Sequence, residues 1–162
     1  MTMNSQLTKA VRSEAEHRQN PLILIGKSLG AYLAREVTRE LPSIVSQVIT
    51  MGSPIIGGPK YTRVAPLFHG NGMNLDMIEQ AVELRDQTPL NLPITNIYSK
   101  SDGVVAWEAC IDHKSAAVDH FEVASTHLGL GFSADVFRIV ARQLAKNLTA
   151  MNASKEHNSP AL

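Results

Sequence analysis

The stretch that decides the fold is "PLILIGKSLGAYLAREV", residues 21–37. Four consecutive apolar residues, Leu22 to Ile25, read as a short strand buried on both faces of a parallel sheet. The run "GKSLG", residues 26–30, breaks that strand. Leu29, Leu33, Val37 and Leu41 then recur every four residues and predict a helix with one apolar stripe, ending at Pro42. Ser28 therefore falls in a tight strand-to-helix turn. Small residues at Gly26 and Gly30 are expected on the ground that a side chain at either would meet neighbouring backbone. The helix behind Ser28 aims its N-terminal N–H groups at the same spot, where an oxyanion would gather charge. The alternative for Ser28 is a purely structural turn, since glycines flank many serines by chance.

Working outward, residues 6–18 predict a helix with a polar face. "IVSQVITMG" is a β-branched second strand that stops at the breaker cluster "GSPIIGGP". Residues 60–92 read as irregular, with one helical piece around "LDMIEQAVELRD". "PITNIYS" is a third strand, "VVAWEACID" a short helix and "DHFEVAS" a fourth strand. From Ser133, as N-cap, a last helix is expected to bury Val136, Phe137, Val140, Leu144 and Leu148. The tail, residues 151–162, is polar and expected to be disordered. Strands alternating with helices imply right-handed crossovers and a mostly parallel sheet with helices on both faces: the α/β class. Ligands of such sheets sit at the carboxyl ends of the strands.

Two more residues lie at such ends. Asp102, in "YSKSDGVV", could hold an imidazole in the tautomer that accepts a serine proton. The alternative is an ordinary Asp-Gly turn. His127, in "ASTHLGLG", precedes a flexible loop that can swing an imidazole over the sheet edge. Of the other histidines among the six, His17 and His157 lie in terminal segments, and His113 and His120 fall around an exposed-looking helix-to-strand connection. Ser28, Asp102 and His127 together, each past a strand and in this order, form a specific pattern.

From Leu22 to about Leu148 the sequence resembles the second half of an α/β-hydrolase, and most of all the small bacterial lipase- and esterase-like members. "LIGKSLG" matches the nucleophile elbow, "VITMGSPIIGG" the next strand and loop, "IYSKSDGVVAWEACID" the acid loop and "STHLGLG" the histidine loop. The resemblance implies Ser28 as nucleophile, Asp102 as orienting acid, His127 as general base and the Leu29 N–H as one oxyanion donor. It places a short cap at residues 59–92, where Met73, Leu75, Met77 and Ile78 would line an acyl pocket or simply pack a helix. Lys27 departs from the His or Trp common in that elbow. The family also places several strands and two helices ahead of the nucleophile, with a loop supplying the second oxyanion donor, and no such segment precedes Ser28 here. The fold expected is thus of α/β-hydrolase type lacking the N-terminal strands, as one domain over residues 1–150. The Leu22–Ile25 strand becomes an unpaired edge. Three consequences are open: a fragment or late start, a homodimer along that edge, or a complementing chain.

The bulk numbers exclude other classes. The chain has 162 residues, enough for one core. Fifteen basic residues balance fifteen acidic ones, which argues against nucleic acid or an anionic membrane as main partner. A single cysteine, Cys110, forbids an intrachain disulfide, and its place in "WEACID" makes it a small core residue. No secretion signal or membrane span is read, so a cytoplasmic location is expected. No ligand spacing suggests a metal, and the chemistry implied needs no cofactor. The expected function is cleavage of a small-molecule carboxylic ester through an acyl-enzyme. The alternative is a catalytically silent truncated hydrolase acting as an interaction module or half of a complemented assembly.

Overall fold

The computed structural model describes residues 3–63, 75–85 and 87–157. Helix α1, Met3–Arg18, leads into strand β1, Leu22–Lys27, and helix α2, Leu29–Glu40. Strand β2 is Val45–Met51, helix α3 Leu75–Arg85, strand β3 Ile94–Tyr98, strand β4 Val118–Glu122 and helix α4 Ala134–His157. Three single 3₁₀ turns, Gly58–Tyr61, Trp107–Cys110 and Gly129–Gly131, lie in the connections. The sheet runs β1-β2-β3-β4, all parallel. Every strand read from the sequence is present, and the helices lie on both faces.

The strand pleat explains how. Residues of alternate parity point to opposite faces. Ile49 and Ile97 meet Val123, Leu130 and Val136 on the α4 face, with Ile23, Met51 and Phe121 packed against them. On the other face Val45 and Val48 meet Ala34 of α2, while Val11 of α1 packs with Val37, Leu41 and Leu24. Each such fully buried aliphatic side chain contributes about 1.5–3 kcal/mol over its exposed state.

Three sequence expectations need correction here. The α2 stripe is displaced. Val37 and Leu41 are buried, but Leu29 is 57% exposed, and the helix hides Ala31, Ala34, Arg35 and Thr38 instead. Arg35 is held inside by an ion pair with Asp112 at 2.7 Å, which hydropathy spacing cannot register. In α4 Val136 is buried, whereas Phe137 and Leu148 are each 57% exposed. One flank of that helix is anchored by polar contacts: Gln143 and Lys146 both donate to Asp119 on β4. Finally, α4 continues to His157, into the stretch 151–162 expected to be disordered, because no breaker follows Leu148 before Pro160. Residues 158–162 lie outside the described residues.

In the region read as a cap, α3 is the expected helical piece. It is fastened mainly by charge: Lys60 binds Asp76 at 2.9 Å and also Glu79, and Arg85 binds Glu36 at 3.0 Å and the Tyr32 hydroxyl at 2.6 Å. Val82 is buried and Met77 is 67% exposed. Met73 and residues 64–74 generally lie outside the described residues. At the opposite side of the sheet β1 pairs only with β2 among the described residues, so it is an edge, and Ile25 is 47% exposed. Among those residues no helix is long and apolar enough to cross a membrane.

Candidate active site

Ser28 follows β1 directly, and its backbone is strained. With φ 54° and ψ −124° it is one of two non-glycine residues with positive φ among those described. Such a conformation costs about 1–3 kcal/mol. It is held by what surrounds it: the Ser28 N–H extends the β1–β2 ladder to the Met51 carbonyl at 2.9 Å, while the Ser28 carbonyl accepts from Ala31 and Tyr32. Its side chain makes no capping hydrogen bond to α2, so the hydroxyl is spared for other work. The Leu29 N–H opens α2, ahead of the Ala31 and Tyr32 N–H groups that bond the Ser28 carbonyl, and has no carbonyl of the helix behind it to bond.

The two flanking glycines differ, contrary to expectation. A Cβ on Gly26 would sit 2.4 Å from the Gly30 carbonyl oxygen and 2.5 Å from the Ala31 nitrogen, so only glycine fits. A Cβ on Gly30 would meet nothing within 4 Å. The tight approach is made by the Gly30 backbone, not by any shortage of room for its side chain.

Asp102 and His127 are brought together. His127 Nδ1 lies 2.8 Å from Asp102 Oδ2, and the His127 N–H donates to the Asp102 carbonyl, also at 2.8 Å. The other carboxylate oxygen, Oδ1, accepts from the Val104 and Val105 N–H groups at 2.9 and 2.7 Å. The Asp102 side chain is 3% exposed and that of His127 14%. An ionised carboxylate only accepts, so in this contact Nδ1–H is the donor. Among the described residues no hydrogen bond joins Ser28 Oγ to His127; such contacts commonly tighten only when substrate binds.

Two residues that sequence reading did not single out build the pair. Gly52 follows β2 with φ +52°, and a Cβ there would lie 2.9 Å from Asp102 Oδ2, 3.2 Å from His127 Nδ1 and 2.7 Å from Leu130 Cδ1. The breaker cluster was visible, but the need for this particular glycine depends on residues 50 and 75 positions away. Ser99 is 2% exposed, and its hydroxyl accepts from the Ser101 and Ser125 N–H groups, both at 3.1 Å. It ties the acid loop to the histidine loop.

Nearby titratable groups have structural duties. Burial opposes the charge of Asp112, but the Arg35 guanidinium and the Ser115 and Lys114 N–H groups outweigh it and hold the carboxyl down at about 2. His120 is half-buried rather than exposed. Its Nε2 accepts from the Asp112 N–H at 3.0 Å, and burial pulls its pKa below the ordinary value. Burial, helped by the Asp102 charge, pushes the Cys110 thiol up to about 12. A thiol so held is a poor nucleophile, in keeping with a core role. Among the described residues no group of three or more His, Cys, Asp or Glu side chains is placed to hold a metal ion.

A groove of about 880 Å³ runs between α1 and the start of β1, at the end of the strand remote from Ser28. Another, of about 580 Å³, lies beside the acid loop between residues 60–63 and 100–107. Around the Ser28 edge itself, Leu29, Leu128 and Phe132 are 57%, 71% and 77% exposed.

No family model matches the chain, and no curated protein matches it in sequence. Solved structures do match in shape. A structure of the metagenome-derived lipolytic enzymes LipS and LipT superposes with a TM-score of 0.68 and 15% identity, over 90% of this chain and 72% of that one. The monoacylglycerol lipase of Paleococcus ferrophilus gives 0.62 and 14%, over 90% and 76%. Human thioesterase 2 gives 0.60 and 13%, over 93% and 82%. At these identities the likeness concerns the fold.

Proposed function

From the α/β-hydrolase fold of this chain, we propose that it is a serine hydrolase that cleaves a small-molecule carboxylic ester through an acyl-enzyme. The observation that carries the reading is the buried Asp102–His127 pair, 2.8 Å apart, at the same sheet edge as the strained Ser28. In the proposed reaction Ser28 Oγ attacks the ester carbonyl while His127 Nε2 takes its proton. Asp102 keeps the imidazole in that tautomer and stabilises the imidazolium that forms. The Leu29 N–H, at the positive end of α2, receives the developing oxyanion. His127 then protonates the departing alkoxide. Water, activated by the same imidazole, releases the acid and restores Ser28. A cytoplasmic location belongs to this proposal. So does pairing of the β1 edge with a second copy or a complementing chain, which rests on the exposure of that edge alone. Sedimentation over a range of concentrations, with and without candidate partners, tests the pairing. The silent-module alternative draws no support from the comparisons.

The test is to trap the intermediate. Mixing the chain with p-nitrophenyl butyrate and quenching in acid should give a butyryl adduct that peptide mass spectrometry places on Ser28. Ser28→Ala should carry none. An adduct on another residue, or none on a folded chain, refutes the proposal.

A further inference from the structure

Lys27 is the one charged residue in the β1 strand, and it lacks the ion pairs that hold Lys60, Lys100 and Lys146. Lys60 is bound by Asp76 and Glu79, Lys100 by Glu122 and Lys146 by Asp119. Lys27 makes no ion pair or side-chain hydrogen bond among the described residues, although it is only half exposed. Its direction follows from the pleat. It shares a face with Ile23, which packs against the cluster of Leu130 and Val136, and with Ile25, which is partly exposed. The stem crosses to the histidine loop: a Cβ on Gly131 would lie 3.5 Å from Lys27 Cδ and 3.8 Å from Cε, ordinary contact distances. The stem, rooted one residue before Ser28, thus packs on the turn Gly129–Gly131 that follows His127 and covers its methylenes there. The exposed neighbours at this edge are Leu29, Leu128 and Phe132, none of which can neutralise the ammonium.

We propose that Lys27 is a specificity-determining residue that makes the site prefer esters bearing an anionic group, a carboxylate or phosphate, close to the scissile bond. The inference rests on the esterase reading above. A cation beside an apolar rim, and committed to no carboxylate among the described residues, retains most of its attraction for a substrate anion. A charge-assisted contact of this kind changes affinity by about tenfold or more.

The test compares three esters: neutral p-nitrophenyl hexanoate, the mono-p-nitrophenyl ester of adipate (anion on the acyl side), and the hexanoate ester of 4-hydroxybenzoate (anion on the leaving side). The variants are Lys27→Met, which keeps a stem over Gly131, and Lys27→Arg, which keeps the charge. The expected result is that, for at least one anionic ester, the ratio of its kcat/KM to that of the neutral ester falls about tenfold in Lys27→Met, mainly through KM. Lys27→Arg should keep the ratio, and added salt should lower it in the wild type. The arm that responds identifies the side of the substrate that carries the anion. Ratios equal in wild type and Lys27→Met, even if all three rates fall together, would overturn the proposal and leave Lys27 as packing. No hydrolysis of any ester by the folded wild type would overturn the esterase reading instead, and the preference with it.

Discussion

Replacing Gly52 with alanine should damage the candidate site more than it damages the fold. The backbone at 52 has φ +52°, so any L side chain there costs about 1–2 kcal/mol. The new methyl would also lie 2.7 Å from Leu130 Cδ1 and 2.9 Å from Asp102 Oδ2. The second of these is roughly half an ångström short of an ordinary contact. Leu130 is fully buried and has nowhere to retreat, so the carboxylate must give way. Because Oδ2 is the atom that holds His127 Nδ1 at 2.8 Å, the imidazole moves with it. A displacement of about 1 Å at a reacting group costs on the order of 100-fold, so a loss of about 10- to 100-fold is expected. The assay is the rate of fluorophosphonate labelling, with thermal unfolding measured alongside. Gly103→Ala is the control: φ there is +79°, but the nearest atom to an added Cβ is 4.0 Å away. It should lose similar stability and keep far more of the labelling rate. Wild-type labelling by folded Gly52→Ala, or an equal loss in Gly103→Ala, would refute the reasoning.

The two glycines around Ser28 should behave oppositely: Gly26→Ala, driven into the Gly30 and Ala31 backbone, should abolish labelling and lower Tm sharply, whereas Gly30→Ala should be tolerated on both counts. Breaking the buried Arg35–Asp112 pair, whose side chains are 5% and 3% exposed, by Asp112→Asn should cost about 3–5 kcal/mol in urea unfolding, and a paired apolar replacement of both residues should cost less. His120 ties pH to stability: its folded pKa lies below 6.5, so the unfolded chain binds the proton more readily, and stability is full above pH 6.5 and falls as pH drops below it. The Tm difference between wild type and His120→Asn should therefore shrink from pH 8 to pH 5, and a difference independent of pH would contradict this.

The lesson about what a sequence carries is local. β1, β2, β3 and β4 were legible because apolar and β-branched runs bounded by glycine and proline depend on near neighbours alone. The positions of Ser28, Asp102 and His127 past strand ends were legible because each follows such a run. Leu29 misled, because an apolar residue at helical spacing is expected inside, yet it stands at the rim of the candidate site, 57% exposed. Phe137 and Leu148 misled for a related reason: periodicity marks an apolar flank but not whether another element covers it. The Arg35–Asp112 pair spans 77 positions, and Gly52 is required only by side chains that reach it through the fold. Neither need leaves a mark in its own neighbourhood of the chain. His120 read as a surface histidine because its acceptor role exists only once the connection at Asp112 folds back onto β4.

The measurement that tests the central claim most directly is fluorophosphonate labelling of the purified chain, set beside Ser28→Ala and His127→Ala. Such a probe couples to a serine only where base and oxyanion donor are already arranged around it. The account predicts stoichiometric labelling of the wild type at Ser28 and none in either variant. A folded wild type that stays unlabelled, or a His127→Ala variant that labels as fast as the wild type, would contradict it.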